Sequence, residues 1–267
     1  MVTAAATHHW LTEGPTLHQI DLGGDGRPVL CIHGVASCGW VWHHTAPHLA
    51  AVGRVVAVDL RGHGLSDWAA DGRYSTAGHA TDVEAVIRSM STGAVDLVGS
   101  SWGALVALAV AASRPGLVRR LILVDIEPSS EQPETAVPER PGSFATLDEA
   151  AALWRTLNPH APQDLVELLA AASTRPDRRG TRAVLHDPVF LERWPFRSED
   201  WWDALDAVEA PTLVVHAEHT WVRGEVCDRM AERLTDAERI DIADSAHVIP
   251  VDRPTELGRA LARFLGV

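Results

Sequence analysis

Short apolar runs alternate with longer stretches of helical period along most of this chain. Residues 17–22, 29–32, 55–59, 96–98, 121–124, 212–215 and 239–242 are mostly rich in Val, Ile and Leu and too short for helices, so they predict strands. Residues 41–51, 77–90, 102–113, 224–234 and 255–264 predict helices between them. Strands that are apolar on both faces and separated by helices predict a mostly parallel sheet covered on both sides, an α/β architecture. No internal repeat is visible.

The alternation stops between Pro128 and about Val208. A polar, Pro-rich link (Pro128, Pro133, Pro138, Pro141) leads into helix-like pieces at 147–157 and 163–172, then an aromatic cluster of Phe190, Trp194, Phe196, Trp201 and Trp202. An insertion of this size predicts a helical cap (128–208) over the strand ends of a core built from 1–127 and 209–267. Trp154, Trp194, Trp201 and Trp202, four of the ten tryptophans, fall inside it. A solvated loop would not need them, so they are expected to line an apolar substrate pocket.

Chemistry enters with Leu97-Val98-Gly99-Ser100-Ser101-Trp102-Gly103, a G-x-S-x-G run between a predicted strand and a predicted helix. A serine hydroxyl is a poor nucleophile unless held exposed beside a base, and a sharp strand-to-helix turn gives that exposure. Gly99 and Gly103 permit the turn, where side chains would collide. Just past the last predicted strand, Asp244-Ser245-Ala246-His247-Val248-Ile249-Pro250 offers a histidine as the base.

Composition narrows the partners. At 267 residues with 46% hydrophobic, the chain can bury a sizeable core, and its net charge of −13 argues against nucleic acid and against an anionic membrane surface. Cys31, Cys38 and Cys227 form no C-x-x-C and no disulfide framework, and Cys31 reads as a small buried hydrophobe. The first ten residues lack the pattern of a signal peptide, and no run reaches membrane-spanning length. The expectation is a reduced, cytoplasmic, soluble protein. Fourteen histidines are present, but pairs such as His8-His9 and His43-His44 lack a third ligand at sensible spacing, so no metal site is expected.

Several ordered blocks resemble the α/β-hydrolase fold superfamily, in its esterase, lactonase and epoxide-hydrolase-like branch. His33-Gly34 after a strand resembles the oxyanion motif. Asp59-Leu60-Arg61-Gly62-His63-Gly64-Leu65-Ser66-Asp67 resembles the signature after strand 4. Gly99 to Gly103 resembles the nucleophile elbow, Pro211 to Glu218 the strand-7 block, and Ala246-His247 with Pro250, Asp252 and Pro254 the histidine block. The resemblance spans nearly the whole chain except 128–208. It implies an eight-stranded, mostly parallel sheet with the cap between strands 6 and 7. It also implies an oxyanion hole from the N–H groups of Val35 and Trp102, and chemistry that needs no cofactor. His33, Trp40 and Trp102 are candidates for the pocket wall, with core or turn packing the competing reading for each.

The chain departs from the family where the acid usually stands. The strand-7 block reads Ala217-Glu218-His219-Thr220, with a threonine in place of the carboxylate. A threonine cannot compensate an imidazolium as a carboxylate does. Asp125, at the end of strand 6, occupies the position where certain haloalkane dehalogenases and lactonases carry their acid, and is the preferred candidate; Glu218 and Glu127 follow. The resulting expectation is a Ser101–His247–Asp125 triad cleaving an ester or lactone with an apolar portion. The alternatives are a cofactor-independent dioxygenase or carbon–carbon bond-cleaving enzyme on the same fold, and a catalytically silent hydrolase-like binding protein. The oligomeric state is left open.

Overall fold

The computed structural model describes residues 6–12, 14–90, 93–130 and 132–266. Eight strands form the main sheet: β1 (Thr7–Leu11), β2 (Leu17–Gly23), β3 (Pro28–Ile32), β4 (Arg54–Val58), β5 (Val95–Ser100), β6 (Val118–Val124), β10 (Thr212–His219) and β11 (Ala237–Ala246). Three short strands, β7 (Ser143–Phe144), β8 (Thr174–Pro176) and β9 (Arg182–Val184), form a separate small sheet in the order β7-β9-β8. The main sheet runs β1-β2-β4-β3-β5-β6-β10-β11. Only the pairings of β2 with β1 and β4 are antiparallel; the rest are parallel.

Side chains alternate across a strand, so each central strand supplies two cores. On one face Leu30, Ile32, Val56, Val58, Leu97, Leu121 and Leu123 pack with residues of α2 (Thr76–Ser89), α3 (Trp102–Ser113) and α6 (Gly224–Arg233). On the other, Val29, Cys31, Val55, Ala57, Val98, Ile122 and Val124 meet α1 (Ala46–Leu49) and α8 (Pro254–Leu265). A one-turn helix, α7 (Ile249–Asp252), follows β11. The three cysteines are free and buried, Cys31 within the second core. Among the described residues, no helix is long and apolar enough to cross a membrane.

One expectation changes, and one strand, β1, has no counterpart in the sequence reading. The helix over 41–51 is instead a 3₁₀ turn (Gly39–Trp42) followed by α1. Pro47 lies in α1's first turn, the place in a helix where a missing N–H costs nothing, so the chain restarts there rather than continuing. The edge strand β1 carries no apolar alternation because its residues are largely exposed, which is why its pattern does not announce it. Between β6 and β10 the chain builds α4 (Leu147–Leu157), α5 (Gln163–Ala172), the small sheet and three 3₁₀ turns.

Candidate active site

Strand ends converge on one place. Ser101 follows β5 in the left-handed region (φ 55°), and its N–H donates to Val124 O at 2.9 Å, tying the turn to the end of β6. The turn leaves no room for side chains at the flanking glycines: a Cβ on Gly99 would lie 2.1 Å from Gly103 O, and one on Gly103 would lie 2.5 Å from His33 O. Among the described residues, the non-glycine positive φ angles are at Ala36, Ser101 and Asp125, in the loops that meet at this point, and at Asp244 within β11. Strain gathered in this way is held where the surrounding packing fixes it.

His247, in the turn before α7, stands between Ser101 and Asp125. Its Nε2 lies 3.0 Å from Ser101 Oγ and its Nδ1 lies 2.6 Å from Asp125 Oδ2. An ionised carboxylate only accepts, so Nδ1 carries the hydrogen and Nε2 presents its lone pair to the serine hydroxyl. Asp125 is buried and its other bonds are filled: Oδ1 accepts from the Ala217 N–H at 2.8 Å and Oδ2 accepts from Thr220 Oγ1 at 2.6 Å. Thr220 therefore braces the carboxylate. The other two acidic candidates face elsewhere. Glu218 accepts from the Asp244 N–H at 2.8 Å, and Glu127 pairs with Arg223 at 3.1 Å.

The loop after β3 passes close over the serine; a Cβ on Gly34 would lie 2.9 Å from Ser101 Cβ. Two buried histidines hold that loop. Leu60 N–H donates to His33 Nε2 at 3.0 Å, so His33 Nδ1–H donates to Gly34 O at 2.7 Å. Ala36 N–H donates to His63 Nε2 at 3.0 Å, so His63 Nδ1–H donates to Arg61 O. Burial lowers the pKa of His33, and burial together with neighbouring histidines lowers that of His63 further, which keeps both neutral and able to accept. Val35 lies between these two anchors. Trp102 is the first residue of α3, whose leading N–H groups have no partner within the helix.

Ser101 and His247 open into a cavity of about 280 Å³, walled chiefly by Val35, Val41, Leu153, Trp154, Trp194 and Phe196. Of the tryptophans expected to line the pocket, Trp154 and Trp194 do so. His33, Trp40, Trp102, Trp201 and Trp202 do not. His33 is fully buried in the backbone bonds just described. Trp40 packs beside the His8 and His43 rings. Trp102 is core, its Nε1 donating to Thr76 Oγ1 at 2.8 Å. Trp201 Nε1 donates to Glu199, and Trp202 Nε1 donates to Ser129 with Arg229 over its ring, as the chain returns towards β10. The sequence gives no sign of Trp221, half-exposed, whose ring lies 5.1 Å from that of His247 and lines the same cavity. Arg140, His186 and Arg197 also line the cavity without a motif to mark them. Exposed Glu218, His219 and Asp244 have ligand atoms within 4.8 Å of one another, on the surface near the histidine turn.

The model of the alpha/beta hydrolase fold family matches residues 27–254. The chain belongs to that family. Among similar proteins are the esterase Rv0045c of Mycobacterium tuberculosis, 30% identical over 88% of this chain and 81% of its own, and the lipase LipV of the same organism, 30% identical over 89% and 93%. A solved thioesterase domain from the curacin biosynthetic pathway is 27% identical with a TM-score of 0.83, covering 99% of this chain and 100% of its own. Membership accounts for the eight-stranded, mostly parallel sheet. The reaction has to be argued from the site, since this fold carries many activities.

Proposed function

We propose that the protein hydrolyses carboxylic esters or lactones through an acyl-enzyme formed on Ser101. The observation that carries the reading is the chain of contacts Ser101 Oγ–His247–Asp125 at 3.0 and 2.6 Å. Similarity to proteins named esterase, lipase and thioesterase supports the same class.

Ser101 Oγ attacks the carbonyl carbon while its proton passes to His247 Nε2. The Nδ1–H bond to Asp125 holds the reactive tautomer and stabilises the imidazolium that forms. Charge on the carbonyl oxygen is met by the N–H groups of Val35 and Trp102, each such donor typically supplying a factor of roughly a hundred to a thousand. The imidazolium returns the proton to the leaving oxygen, and water, activated by the same Nε2, releases the acid. Residues 128–208 act as a cap over this cavity, with Trp154 and Trp194 giving it an apolar wall. The substrate is a small molecule, neither nucleic acid nor lipid surface.

A panel of p-nitrophenyl esters and lactones, run against the protein and a Ser101→Ala control, tests the reading. Turnover that disappears in the control supports it, as does labelling of Ser101 by a fluorophosphonate. Oxygen consumption or carbon–carbon cleavage without serine labelling would replace it with a non-hydrolytic reaction on the same fold.

A further inference from the structure

The cavity wall is mostly apolar, with Ser101 and His247 at one side and two arginines among its other polar residues. Arg140 and Arg197 both line it, and both guanidinium groups stand over the Trp194 ring, at 5.6 and 4.6 Å from its centre. Among the described residues, neither has a carboxylate within 4.0 Å, whereas Arg54, Arg61 and Arg119 each hold one. Arg197 Nη1 is buried with no hydrogen-bond partner, and so is Nε2 of His186, which lines the same wall.

A guanidinium N–H group buried without a partner is costly, and Arg197 holds one in this wall, with the half-buried Arg140 beside it. Burial lowers the pKa of both guanidinium groups, as expected for cations short of an anion. His186 is pushed down to about 4 by burial and then by Arg140, so it is neutral at pH 7 and adds a dipole rather than a third charge. The placement also runs against the net charge of −13, which repels anions from the outer surface. A guanidinium fork matches a carboxylate in two hydrogen bonds, which a ring contact alone does not use.

We infer that Arg140 and Arg197 form an anion subsite, so that the ester substrate carries a second, ionised carboxylate on the part that faces residues 128–208. The inference rests on the ester-hydrolase reading above and specifies its substrate class: half-esters of dicarboxylic acids, or acyl chains ending in a carboxylate. A cavity of about 280 Å³, at the small end for ligand pockets, suits such compact molecules better than long acyl chains. The arginines then fix one end of the substrate while Ser101 meets its ester carbonyl.

The test compares p-nitrophenyl pentanoate with mono-p-nitrophenyl glutarate, which differ by the terminal carboxylate. The expected kcat/KM ratio favours the glutarate by tenfold or more in the wild type. It falls about ten- to a hundredfold in Arg197→Gln and in Arg140→Gln, mainly through KM, the size expected for lost charge-assisted bonds. Arg140→Lys and Arg197→Lys serve where a Gln variant does not fold, since they keep charge and lose the fork. A wild type that prefers the pentanoate, or a ratio that no arginine variant moves, overturns the subsite and leaves the arginines as staples on Trp194. Were neither ester cleaved, the hydrolase reading would fail by itself. Calorimetry of Ser101→Ala with monomethyl glutarate then decides the subsite independently: binding lost in Ser101→Ala/Arg197→Gln upholds it, and no binding refutes it.

Discussion

Replacing Asp125 by Asn keeps the shape of the side chain and exchanges one acceptor for a donor. The Ala217 N–H, 2.8 Å from Oδ1, decides which way the amide turns, because it demands an oxygen. The NH₂ group then takes the place of Oδ2, facing His247 Nδ1 and Thr220 Oγ1, which stand at 2.6 Å each. An NH₂ donates, so Nδ1 must accept and the ring hydrogen moves to Nε2, against Ser101. The serine can no longer hand over its proton. Turnover should fall by up to about ten-thousandfold, or about 5.5 kcal/mol of barrier at 1.36 kcal/mol per decade. Folding should survive, since Asn tolerates the left-handed backbone at φ 50° at least as well as Asp. Glu218→Gln should be mild, its carboxylate being turned to the Asp244 N–H. Thr220→Asp should have opposite signs in two backgrounds. Beside Asp125 it sets two carboxylates together and lowers activity; in Asp125→Asn it restores a carboxylate near His247 Nδ1, 3.5 Å from the present hydroxyl, and recovers part of the rate. The assay is kcat/KM on an activated ester with circular dichroism to confirm folding. Asp125→Asn within tenfold of wild type would refute the acid assignment, whatever became of the Ser101–His247 pair.

Ser101→Ala should abolish ester turnover while leaving Tm within a few degrees of wild type, measured side by side on one preparation. Gly99→Ala and Gly103→Ala should lower stability by at least the ~1–3 kcal/mol of overpacking, a Tm drop of about 2–12 °C, because backbone atoms rather than flexible side chains block the added methyl; Gly116→Ala, with open space around it, is the control. Trp154→Ala should change acyl-chain selectivity, whereas Trp202→Ala should cost about 1–3 kcal/mol in urea unfolding and leave the selectivity ratio alone; the reverse pattern would undo the wall described here. Stability should fall with pH below about 6.5. The folded pKa values of His33, His63 and His186 are all lowered by burial, that of His186 to about 4, so the unfolded chain takes up protons that the fold refuses; a Tm unchanged between pH 7 and pH 5 would contradict this.

Local patterns were legible in the chain, and long-range orientation was not. The strand–turn–helix around Ser101 lies within a dozen residues, and Gly99 answers to a contact inside the turn, whereas Gly103 answers to the backbone at Ile32 and His33, which only the fold brings there. The central strands were equally plain because both of their faces are buried. Tryptophans show the limit. Composition called for an apolar wall in 128–208, yet nothing in the pattern distinguishes Trp194, which faces the cavity, from Trp201 and Trp202 a few positions later, whose indole N–H groups are taken by Glu199 and Ser129. The same holds for Arg140 and Arg197, far apart in sequence and brought onto one ring by the fold. His33 and His63 lie in blocks that the sequence marks, but their function of holding Gly34 and Ala36 through neutral tautomers needs the hydrogen-bond directions.

Thr220 departs from the family pattern, and the register of the sheet makes that departure understandable. β6 and β10 are parallel neighbours, with Val124 opposite Val215, and the Asp125 N–H continues the ladder to Val215 O at 2.8 Å. A side chain leaving the end of β6 and one leaving the loop after β10 therefore approach the same point, which is why Thr220 Oγ1 and Asp125 Oδ2 lie 2.6 Å apart. His247 reaches that point from a third element and is indifferent to which strand supplies the oxygen; its Nδ1 needs only an acceptor within hydrogen-bond distance. Two carboxylates there would repel, and none would leave the imidazolium uncompensated, so the geometry favours one acid and one neutral donor. The hydroxyl of Thr220 fills the second part. It holds the oxygen that His247 uses, while the Ala217 N–H fixes the other, so the carboxylate has one rotamer and one face available. On the proposed assignment, the threonine at the family's usual acid position is the brace that orients Asp125.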